Sequence, residues 1–396
     1  MKLNEEQRVF MREHVSDDIP KLLLKASRYP NLDVPFLCDQ LLIRRHIREK
    51  LPTWYANEDL LFPAKITAEQ CSSEQTALYK QRLVQPTDKL CDLTGGLGID
   101  SYYFSLRVQS VCYVERFSEY CNIARDNFEI LGARNIQIIH GDSVDCLNRL
   151  CGFDVFYIDP ARRGKENKRV YALSDCEPNL PALLPELLSL SPRVIAKISP
   201  MADLQQTLSV LPGTVGIHVL SVRNECKELL FDIRRERLEG KEPVVHAVNF
   251  TSVGEEEVFE FTISEERDSL LSYAKEVRHY LYEPNASLMK AGAFKIVALR
   301  YGLEKLQVNS HLYTSDALKV DFPGRIFEVE KVYPFNNRQC KELGREIPKA
   351  NIAVRNFPLS ADELKKKCQI KDGGDVFLFG TTLSNGDRVL IRGHKV

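Results

Sequence analysis

The chain has 396 residues, of which 44% are hydrophobic and 28% are charged, a composition typical of a soluble globular protein. Its formal net charge is −1, so the charge of the whole chain selects no class of partner. The length exceeds one ordinary domain and predicts two or three.

Residues 1–80 are predicted to form a helical cap. Apolar residues recur there at three- and four-residue spacing, and prolines punctuate the segments IPKLLLKASRYP and VPFLCDQLLIRRHIREKLPTW. The acidic start, MKLNEEQRVF, is unlike a signal peptide, and no apolar run approaches the roughly 20 residues that a membrane span needs. Eleven cysteines without paired spacing indicate reduced thiols rather than disulfides or a zinc ribbon. We therefore expect a cytoplasmic protein.

Residues 81–242 alternate between short apolar strands and helices, the pattern of a doubly wound α/β sheet. The predicted strands are KLCDL, VCYVE, IQIIH, FDVFYID, RVIAKIS, TVGIHVLSV and KELLFDIRR. The helices between them include Tyr102–Arg107, Glu119–Leu131 and Leu180–Leu188. Only the turn RNECK separates the last two strands, which predicts an antiparallel hairpin at the edge of a mostly parallel sheet.

The alternation ends near Pro243. The pattern of residues 243–320 predicts a small α+β insert, and that of residues 321–396 predicts elements in the order β-α-β-α-β-β. From Lys331 to Val396 there are 13 Lys or Arg against 7 Asp or Glu, so this segment carries +6 and the rest of the chain about −7. A basic terminal domain is compatible with a polyanion partner, although a solvated face is the plainer alternative.

The segment KLCDLTGGLGID brings Gly95, Gly96 and Gly98 to the end of the first predicted strand. Glycines there permit a tight turn and the close approach of a ligand, either a dinucleotide or S-adenosylmethionine. The dinucleotide fingerprint has a further glycine where this chain has Ser101, so the residues at the later strand ends must decide.

Acidic residues follow at three further predicted strand ends. Glu115 can accept hydrogen bonds from both hydroxyls of a ribose, and Asp142 can accept one from an adenine amino group. Asp159 and Pro160 would stand beside the reactive end of the cofactor, where a nicotinamide enzyme has no use for them. Alternatively, Glu115 and Asp142 are helix N-caps and Asp159-Pro160 is a plain turn. The order of all four positions favours S-adenosylmethionine.

The segments DLTGGLGID, YVER, HGDSVD and IDPARR resemble motifs I to IV of class I S-adenosylmethionine-dependent methyltransferases. More of the chain is similar to the bacterial methyltransferase family with a C-terminal THUMP-like domain, through EQCSSEQTALYK, DPARRG, CKELL, YEPNASLMKAGAF and the segment from NIAVRNF to RVLI. The resemblance implies a Rossmann-like class I sheet, S-adenosylmethionine as the cofactor and no metal. It assigns to the cofactor Asp92, Thr94, Gly95, Gly96, Gly98, Glu115, Arg116, Asp142 and Ser143. It assigns to catalysis Asp159, Pro160 and Arg162.

The methyl acceptor is less constrained. Amino methyltransferases of this class often carry Asp/Asn-Pro-Pro-aromatic at the fourth strand, whereas this chain has Ala161 and Arg162 in the last two positions. A guanidinium can stack on a base or hold a phosphate, and the basic loop Arg162–Arg169 adjoins the expected site, although it could also be a solvated loop. Guanine-N2 methyltransferases of small-subunit ribosomal RNA share Gly-Leu-Gly-x-Asp, Glu-Arg and Asp-Pro, which favours an exocyclic guanine amine.

We therefore predict a methyltransferase that acts on RNA, with a helical cap (1–80), a catalytic domain (81–242), a ferredoxin-like insert (243–320) and a basic THUMP-like domain (321–396). The alternatives are an enzyme of the same fold acting on a small molecule or a protein, and a non-catalytic RNA-binding protein. A C5-pyrimidine enzyme would need a cysteine nucleophile, and Cys226 is the thiol whose position raises that question, although a bystander is expected. The RNA, the methylated atom and the oligomeric state are not predicted.

Overall fold

The computed structural model describes residues 2–63, 70–162, 173–236 and 242–396. The chain divides into two compact units. Unit 1 comprises Met1–Val215 and Leu230–Glu239, and unit 2 comprises Gly216–Leu229 and Gly240–Val396. Among the helices of the described ranges, none is both long and apolar enough to cross a membrane.

Unit 1 begins with helices that pack against the central sheet layer. They are α1 (Glu5–Glu13), α2 (Ile19–Leu24), α3 (Val34–Ile47), α4 (Pro52–Ala56) and α5 (Glu74–Gln81). Asp18 and Asp33 cap α2 and α3, and each is followed within two positions by a proline, which suits the first helical turn. Trp54 of α4 is fully buried in one cluster with Tyr102, Tyr113 and other apolar side chains. Burial of this kind, rather than helix propensity, stabilises such short helices.

The sheet of unit 1 is parallel through five consecutive strands. These are β1 (Lys89–Asp92), β2 (Ser110–Glu115), β3 (Ile136–His140), β4 (Val155–Ile158) and β7 (Arg193–Ile198), and their spatial order is β3-β2-β1-β4-β7. The helices between and after them are α6 (Ile99–Ser105), α7 (Ser118–Ile130), α8 (Ser143–Cys146), α9 (Leu180–Leu190) and α10 (Leu204–Val210). The predicted α/β fold is confirmed. The order reverses between β1 and β4, and open α/β sheets bind their ligands at the carboxyl ends beside such a switch point.

Two further strands of unit 1 form a short antiparallel ribbon after β4. They are β5 (Ala161–Arg162) and β6 (Cys176–Glu177), with Ala161 opposite Glu177 and Arg162 opposite Cys176. The ribbon carries the chain that follows Asp159 past the carboxyl end of the sheet, where it can border a ligand.

The predicted hairpin turns at Arg223 and Asn224, both with positive φ (51° and 63°), between β8 (Thr214–Val222) and β9 (Glu225–Arg234). Its position needs one correction, because the sheet extends beyond it. β10 (Val244–Phe250) pairs parallel with β8, and β11 (Glu256–Thr262) pairs antiparallel with β10. Four of the five apolar side chains of β10 are buried, as expected for a strand with neighbours on both sides, and β11 rather than the hairpin is the edge.

Unit 2 contains a second, seven-stranded sheet in the order β13-β14-β12-β15-β18-β17-β16. Its strands are β12 (Tyr280–Pro284), β13 (Glu304–Lys305), β14 (Tyr313–Ser315), β15 (Gly324–Pro334), β16 (Asn351–Arg355), β17 (Val376–Thr382) and β18 (Arg388–Lys395). The helices of this unit are α11 (Ile263–Asp268), α12 (Ala286–Ala291), α13 (Ile296–Tyr301), α14 (Asn337–Glu346) and α15 (Ala361–Cys368). The last two cover one face, since Leu343 and Leu364 share a core with Leu378 and Leu390.

Candidate active site

A cleft of about 510 Å³ opens at the carboxyl ends of β1, β2 and β4 in unit 1. Among the residues assigned to the cofactor or to catalysis from sequence, those that line it are Asp92, Thr94, Gly95, Gly96, Glu115, Arg116, Asp142, Ser143 and Asp159. Gly98 and Pro160 lie beside these residues in the chain but not on the lining. Residues from four successive strand ends are thus brought to one cavity.

The glycine turn after β1 is shaped by packing against neighbouring side chains as well as by the need for a ligand to approach its backbone. A Cβ atom at Gly95 would lie 2.3 Å from the ring of Tyr113, whose hydroxyl donates to the Gly96 carbonyl at 2.6 Å. Gly98, with φ of 78°, would meet the ring of Phe128 at 2.6 Å. The turn is therefore held tightly against two buried aromatic side chains, and a bulkier residue at Gly95 or Gly98 would displace it.

Glu115 at the end of β2 is tied to this turn. One carboxylate oxygen accepts from the Gly96 N–H at 2.9 Å, and the other accepts from the Phe117 N–H at 2.8 Å. The N-cap of α7 is Phe117, so Glu115 does not have the capping role that the sequence left open. Each carboxylate oxygen retains a second lone pair, which a ribose hydroxyl can use.

Asp142 has the capping role that the sequence left open, and it also lines the cleft. Its side chain accepts from the Val144 N–H at 2.9 Å and begins α8. Its other carboxylate oxygen accepts a hydrogen bond from none of the described residues, which leaves it for a ligand. Phe117, which the sequence analysis did not select, adds a half-exposed aromatic ring to the same lining. An apolar ring beside an acceptor oxygen suits a purine base.

Asp92 lies deepest among the predicted residues and is almost fully buried. It accepts hydrogen bonds from the Thr94 N–H at 3.0 Å and the Ser101 hydroxyl at 2.6 Å. Burial raises the pKa of Asp92 to about 7, despite these two hydrogen bonds. Ser101, which stands where a dinucleotide-binding turn has glycine, is thus a partner of this carboxyl group.

Asp159 follows β4, and contacts from two other strands fix its position. Its backbone N–H donates to the Thr94 hydroxyl at 2.7 Å, which links the turn after β1 to the end of β4. Its Oδ2 accepts from Lys197 Nζ of β7 at 2.6 Å. The Asp159 side chain is 38% exposed and that of Lys197 only 10%, so the carboxylate faces the cleft and the ammonium lies behind it.

A buried polar network, which the sequence analysis did not identify, underlies the cleft. Lys80 Nζ lies 2.9 Å from Asp100 Oδ1 and donates to the Ser72 hydroxyl at 2.7 Å. Asp100 Oδ2 accepts from Ser72 at 2.8 Å and from Tyr157 at 2.7 Å. Burial alone would raise the pKa of Asp100, but the ammonium groups of Lys80 and Lys197 outweigh it and lower that pKa. The segment EQCSSEQTALYK, quoted only for its resemblance, supplies Ser72 and Lys80.

The charges around the cleft are mostly negative. Six carboxyl groups line it, from Asp92, Asp100, Glu115, Asp142, Asp159 and Glu177, against the cations of Arg116 and Lys197. Arg116 itself lies 3.5 Å from Glu177 at the rim. An excess of carboxylates favours a cationic ligand and opposes the pyrophosphate of a dinucleotide. S-adenosylmethionine carries a sulfonium and an ammonium group, so the residues present fit it.

Three predicted features are not found on the described lining of the cleft. The basic residues Arg163–Arg169 lie outside the described residues, and of Arg162 only the backbone, in β5, belongs to the described part of the chain. Cys226 belongs to the part of β9 in unit 2 and does not line the cleft. Burial raises the pKa of its thiol to about 11, so the thiolate that a C5 mechanism requires is scarce at neutral pH.

Comparison with solved structures identifies the relatives. A protein from Porphyromonas gingivalis W83, described as a "putative methyltransferase", matches with 36% sequence identity over 100% of both chains and a TM-score of 0.88. This chain belongs to the same methyltransferase family. The predicted enzyme class and its cofactor, S-adenosylmethionine, are confirmed at that level.

Family profiles also match the C-terminal part of this methyltransferase. A ferredoxin-like domain matches residues 280–323, and a domain described as THUMP domain-like matches residues 324–395. The predicted THUMP-like character is confirmed, while the bounds of the four predicted domains stay a prediction. Among curated proteins, none matches significantly.

Two other solved methyltransferases show limited similarity. An rRNA methylase from Streptococcus thermophilus shares 12% identity over 40% of this chain and 94% of its own, with a TM-score of 0.32. A precorrin-6y C5,15-methyltransferase from Geobacter metallireducens GS-15 shares 15% identity over 42% of this chain and 89% of its own, with a TM-score of 0.31. Likeness at this level carries no argument about the substrate.

Proposed function

We propose that the chain transfers a methyl group from S-adenosylmethionine to an exocyclic amine of a base in ribosomal or transfer RNA. The observation that carries this proposal is the Asp159 carboxylate, held at the carboxyl end of β4 in an acidic cleft. An amine must turn its lone pair toward the methyl donor, and its hydrogens therefore need acceptors on the far side.

The cofactor would occupy the carboxyl ends of β1 to β3. When bound, S-adenosylmethionine supplies an electrophilic methyl group on a sulfonium. Asp92 and the turn of Gly95 and Gly96 would hold its methionine part, and Glu115 would accept from its ribose. On the adenine side, the candidates are the free oxygen of Asp142, the Ser143 backbone and the ring of Phe117.

The chain's own contribution to the reaction is positioning. Asp159 accepts a hydrogen of the acceptor amine and the Pro160 carbonyl accepts the other, so that the nitrogen lone pair points at the donor. Holding two reactants in line can supply several kcal/mol of the barrier reduction, and no general base with a shifted pKa is needed before transfer. Arg162, adjacent in the chain, would stack on the base or hold its phosphate.

RNA is proposed as the partner because two parts of the chain concentrate positive charge. Residues 331–396 carry a net charge of +6 and include most of the THUMP domain-like match, and the basic loop Arg162–Arg169 follows the acceptor site in sequence. Phosphate contacts to Lys and Arg would supply most of the affinity and little of the sequence preference.

Methyl transfer to RNA tests this function directly. The protein is incubated with S-adenosylmethionine carrying a labelled methyl group and with total RNA from a strain that lacks the gene. We expect label in that RNA, little label in RNA from the parent strain, and a base methylated on its exocyclic amine by nucleoside mass spectrometry. Label in protein or small molecules, or a methyl group on a ring carbon, would contradict the proposal.

A further inference from the structure

Lys197 places a cation behind a carboxylate in an otherwise acidic cleft. It lies near the end of β7, one strand away from β4, and its side chain is only 10% exposed. Burying an ammonium group is costly unless an opposite charge and hydrogen-bond acceptors compensate it. The 2.6 Å contact with Asp159 Oδ2 provides such compensation.

The contact leaves the Asp159 carboxylate little rotational freedom. Lys197 engages Oδ2, and Thr94 holds the backbone N–H of the same residue at 2.7 Å. Among the described residues, none donates a hydrogen bond to Oδ1 of Asp159. The residue is thus fixed at two points, and one oxygen atom remains for a substrate.

We propose that Lys197 is a positioning residue that holds the Asp159 carboxylate with Oδ1 toward the acceptor amine. This inference rests on the proposed role of Asp159 and assigns a further residue to the acceptor side of the site.

The orientation of Oδ1 matters because of where the proton goes. The acceptor nitrogen forms its bond to the methyl carbon while the carbon–sulfur bond breaks and its electron pair stays on sulfur. The nitrogen then carries a positive charge and passes one proton to Asp159 Oδ1 and on to water. A carboxylate turned away from the acceptor could neither orient the amine nor receive this proton.

Four variants test the inference: Lys197→Met, Lys197→Arg, Asp159→Asn and the Lys197→Met/Asp159→Asn double variant. Labelled methyl transfer into total RNA from the strain lacking the gene is measured at saturating S-adenosylmethionine, with calorimetry for cofactor binding. Lys197→Met is expected to lower turnover on the order of 10- to 100-fold, the scale for a misplaced reacting group, with cofactor affinity within threefold of wild type. Lys197→Arg, which keeps the charge, should restore most of the loss.

The double variant separates action through Asp159 from an independent role. If Lys197 works through Asp159, the double variant loses no more activity than Asp159→Asn alone. Losses that multiply would overturn the proposal, as would a Lys197→Met variant with wild-type turnover.

A readout without cofactor or RNA keeps the inference separate from the proposed function. The orientation of the Asp159 side chain is determined by crystallography of the free wild-type, Lys197→Met and Lys197→Arg proteins. We expect the wild-type orientation in Lys197→Arg and a rotated or disordered carboxylate in Lys197→Met; an unchanged carboxylate in Lys197→Met would overturn the positioning role. Absence of methyl transfer to RNA by a wild type whose carboxylate orientation depends on Lys197 would instead contradict the proposed function.

Discussion

Both units bury a lysine almost completely, but they compensate it differently. Lys80 in unit 1 lies 2.9 Å from the carboxylate of Asp100 and bonds to Ser72. Lys305 in unit 2 donates to the Val308 carbonyl at 2.8 Å and contacts His311 Nδ1 at 3.3 Å, with no carboxylate within ion-pair distance among the described residues. Burial lowers the pKa of Lys305 to about 8.

The difference extends to the surroundings of the two lysines. Burial, with smaller effects of Lys305 and Arg355, lowers the pKa of His311 to about 4, so this imidazole is neutral at pH 7. Nearby in the same unit, the buried Glu283 is paired with two arginines, Arg325 and Arg355. Unit 1 thus pairs its buried Lys80 with a carboxylate beside an acidic cleft, whereas unit 2 buries Lys305 without one among the described residues. The acidic cleft favours a cationic ligand, and the net charge of +6 on residues 331–396 within unit 2 favours a polyanion.

Removal of the acceptor-side carboxylate should have the largest effect on unit 1. We expect Asp159→Asn to lower methyl transfer to RNA by 100-fold or more, roughly the scale for one preorganised polar group. Affinity for S-adenosylmethionine, measured by calorimetry, should stay within a few-fold of wild type. A matched loss of cofactor binding would place Asp159 in the cofactor site instead and would remove the carboxylate from the acceptor side.

Loss of the predicted contact between Glu115 and the ribose should have the second-largest effect. Glu115→Gln should weaken S-adenosylmethionine binding by about 2 kcal/mol, because it removes charge-assisted acceptors and turns an amide NH2 toward a backbone N–H of Gly96 or Phe117. Thermal unfolding serves as the control for damage to the turn. Unchanged affinity in a folded variant would exclude Glu115 from the site, and tight binding of NADH by the wild type would refute the cofactor.

The basic character of residues 331–396 can be tested by varying the salt concentration. RNA affinity should fall steeply as salt concentration rises, and the slope of log K against log salt should decrease by about 0.7 for each phosphate-contacting residue removed from a single-stranded site. Lys341, Lys366 and Lys367 are exposed candidates for change to Gln, with the exposed Lys25 of unit 1 as the matched control. Salt-independent binding, or an equal effect of Lys25→Gln, would show that residues 331–396 make no special contribution to RNA binding.

A smaller effect on cofactor affinity is expected when a change of pH alters the ionisation of Asp92. The pKa of this carboxyl is raised to about 7, so part of the free protein carries a proton there at neutral pH. A cationic cofactor favours the ionised form, and binding should therefore tighten a few-fold between pH 6 and pH 8 with release of a proton. Calorimetry in buffers of different ionisation enthalpy measures that release. Asp92→Asn should abolish it; pH-independent binding by the wild type would separate Asp92 from the cofactor.

The smallest effect should come from Cys226. A thiol whose pKa is raised to about 11 supplies almost no thiolate at pH 7, and an amine acceptor needs none. Cys226→Ser should leave turnover within twofold of wild type. Complete inactivation, together with a covalent adduct to RNA that contains a fluorinated pyrimidine, would replace amine chemistry with C5 chemistry.

The sequence predicted the sheet well because its strands are short, apolar and bounded by turn residues. Helix boundaries were less accurate: α6 begins at Ile99 rather than at the predicted Tyr102, since Gly98 with positive φ already completes the turn. Two carboxylates that looked alike in sequence proved different. Asp142 caps a helix, and Glu115 instead accepts N–H groups from the glycine turn and from Phe117.

The polar groups behind the cleft could not be predicted in the same way. Lys80 has the sequence context of a solvated lysine at the end of a helix, yet it is fully buried against Asp100, 20 positions along the chain. Lys197 lies in the predicted strand RVIAKIS, and the sequence analysis gave it no role. Which charges become buried depends on how α5, α6 and β7 pack, and local periodicity carries no information about that packing.

The network of Lys80, Ser72 and Asp100 makes the N-terminal helices part of the catalytic architecture. Residues 1–80 look like a detachable cap in sequence, but they supply the counterion of a carboxylate that lines the cleft. Separation at residue 81 would leave the buried Asp100 without the cation in direct contact with it, which typically costs several kcal/mol. A chimera that exchanges the α/β sheet between relatives therefore has to include residues 70–80. The smallest exchangeable unit is larger than the α/β sheet and its own helices.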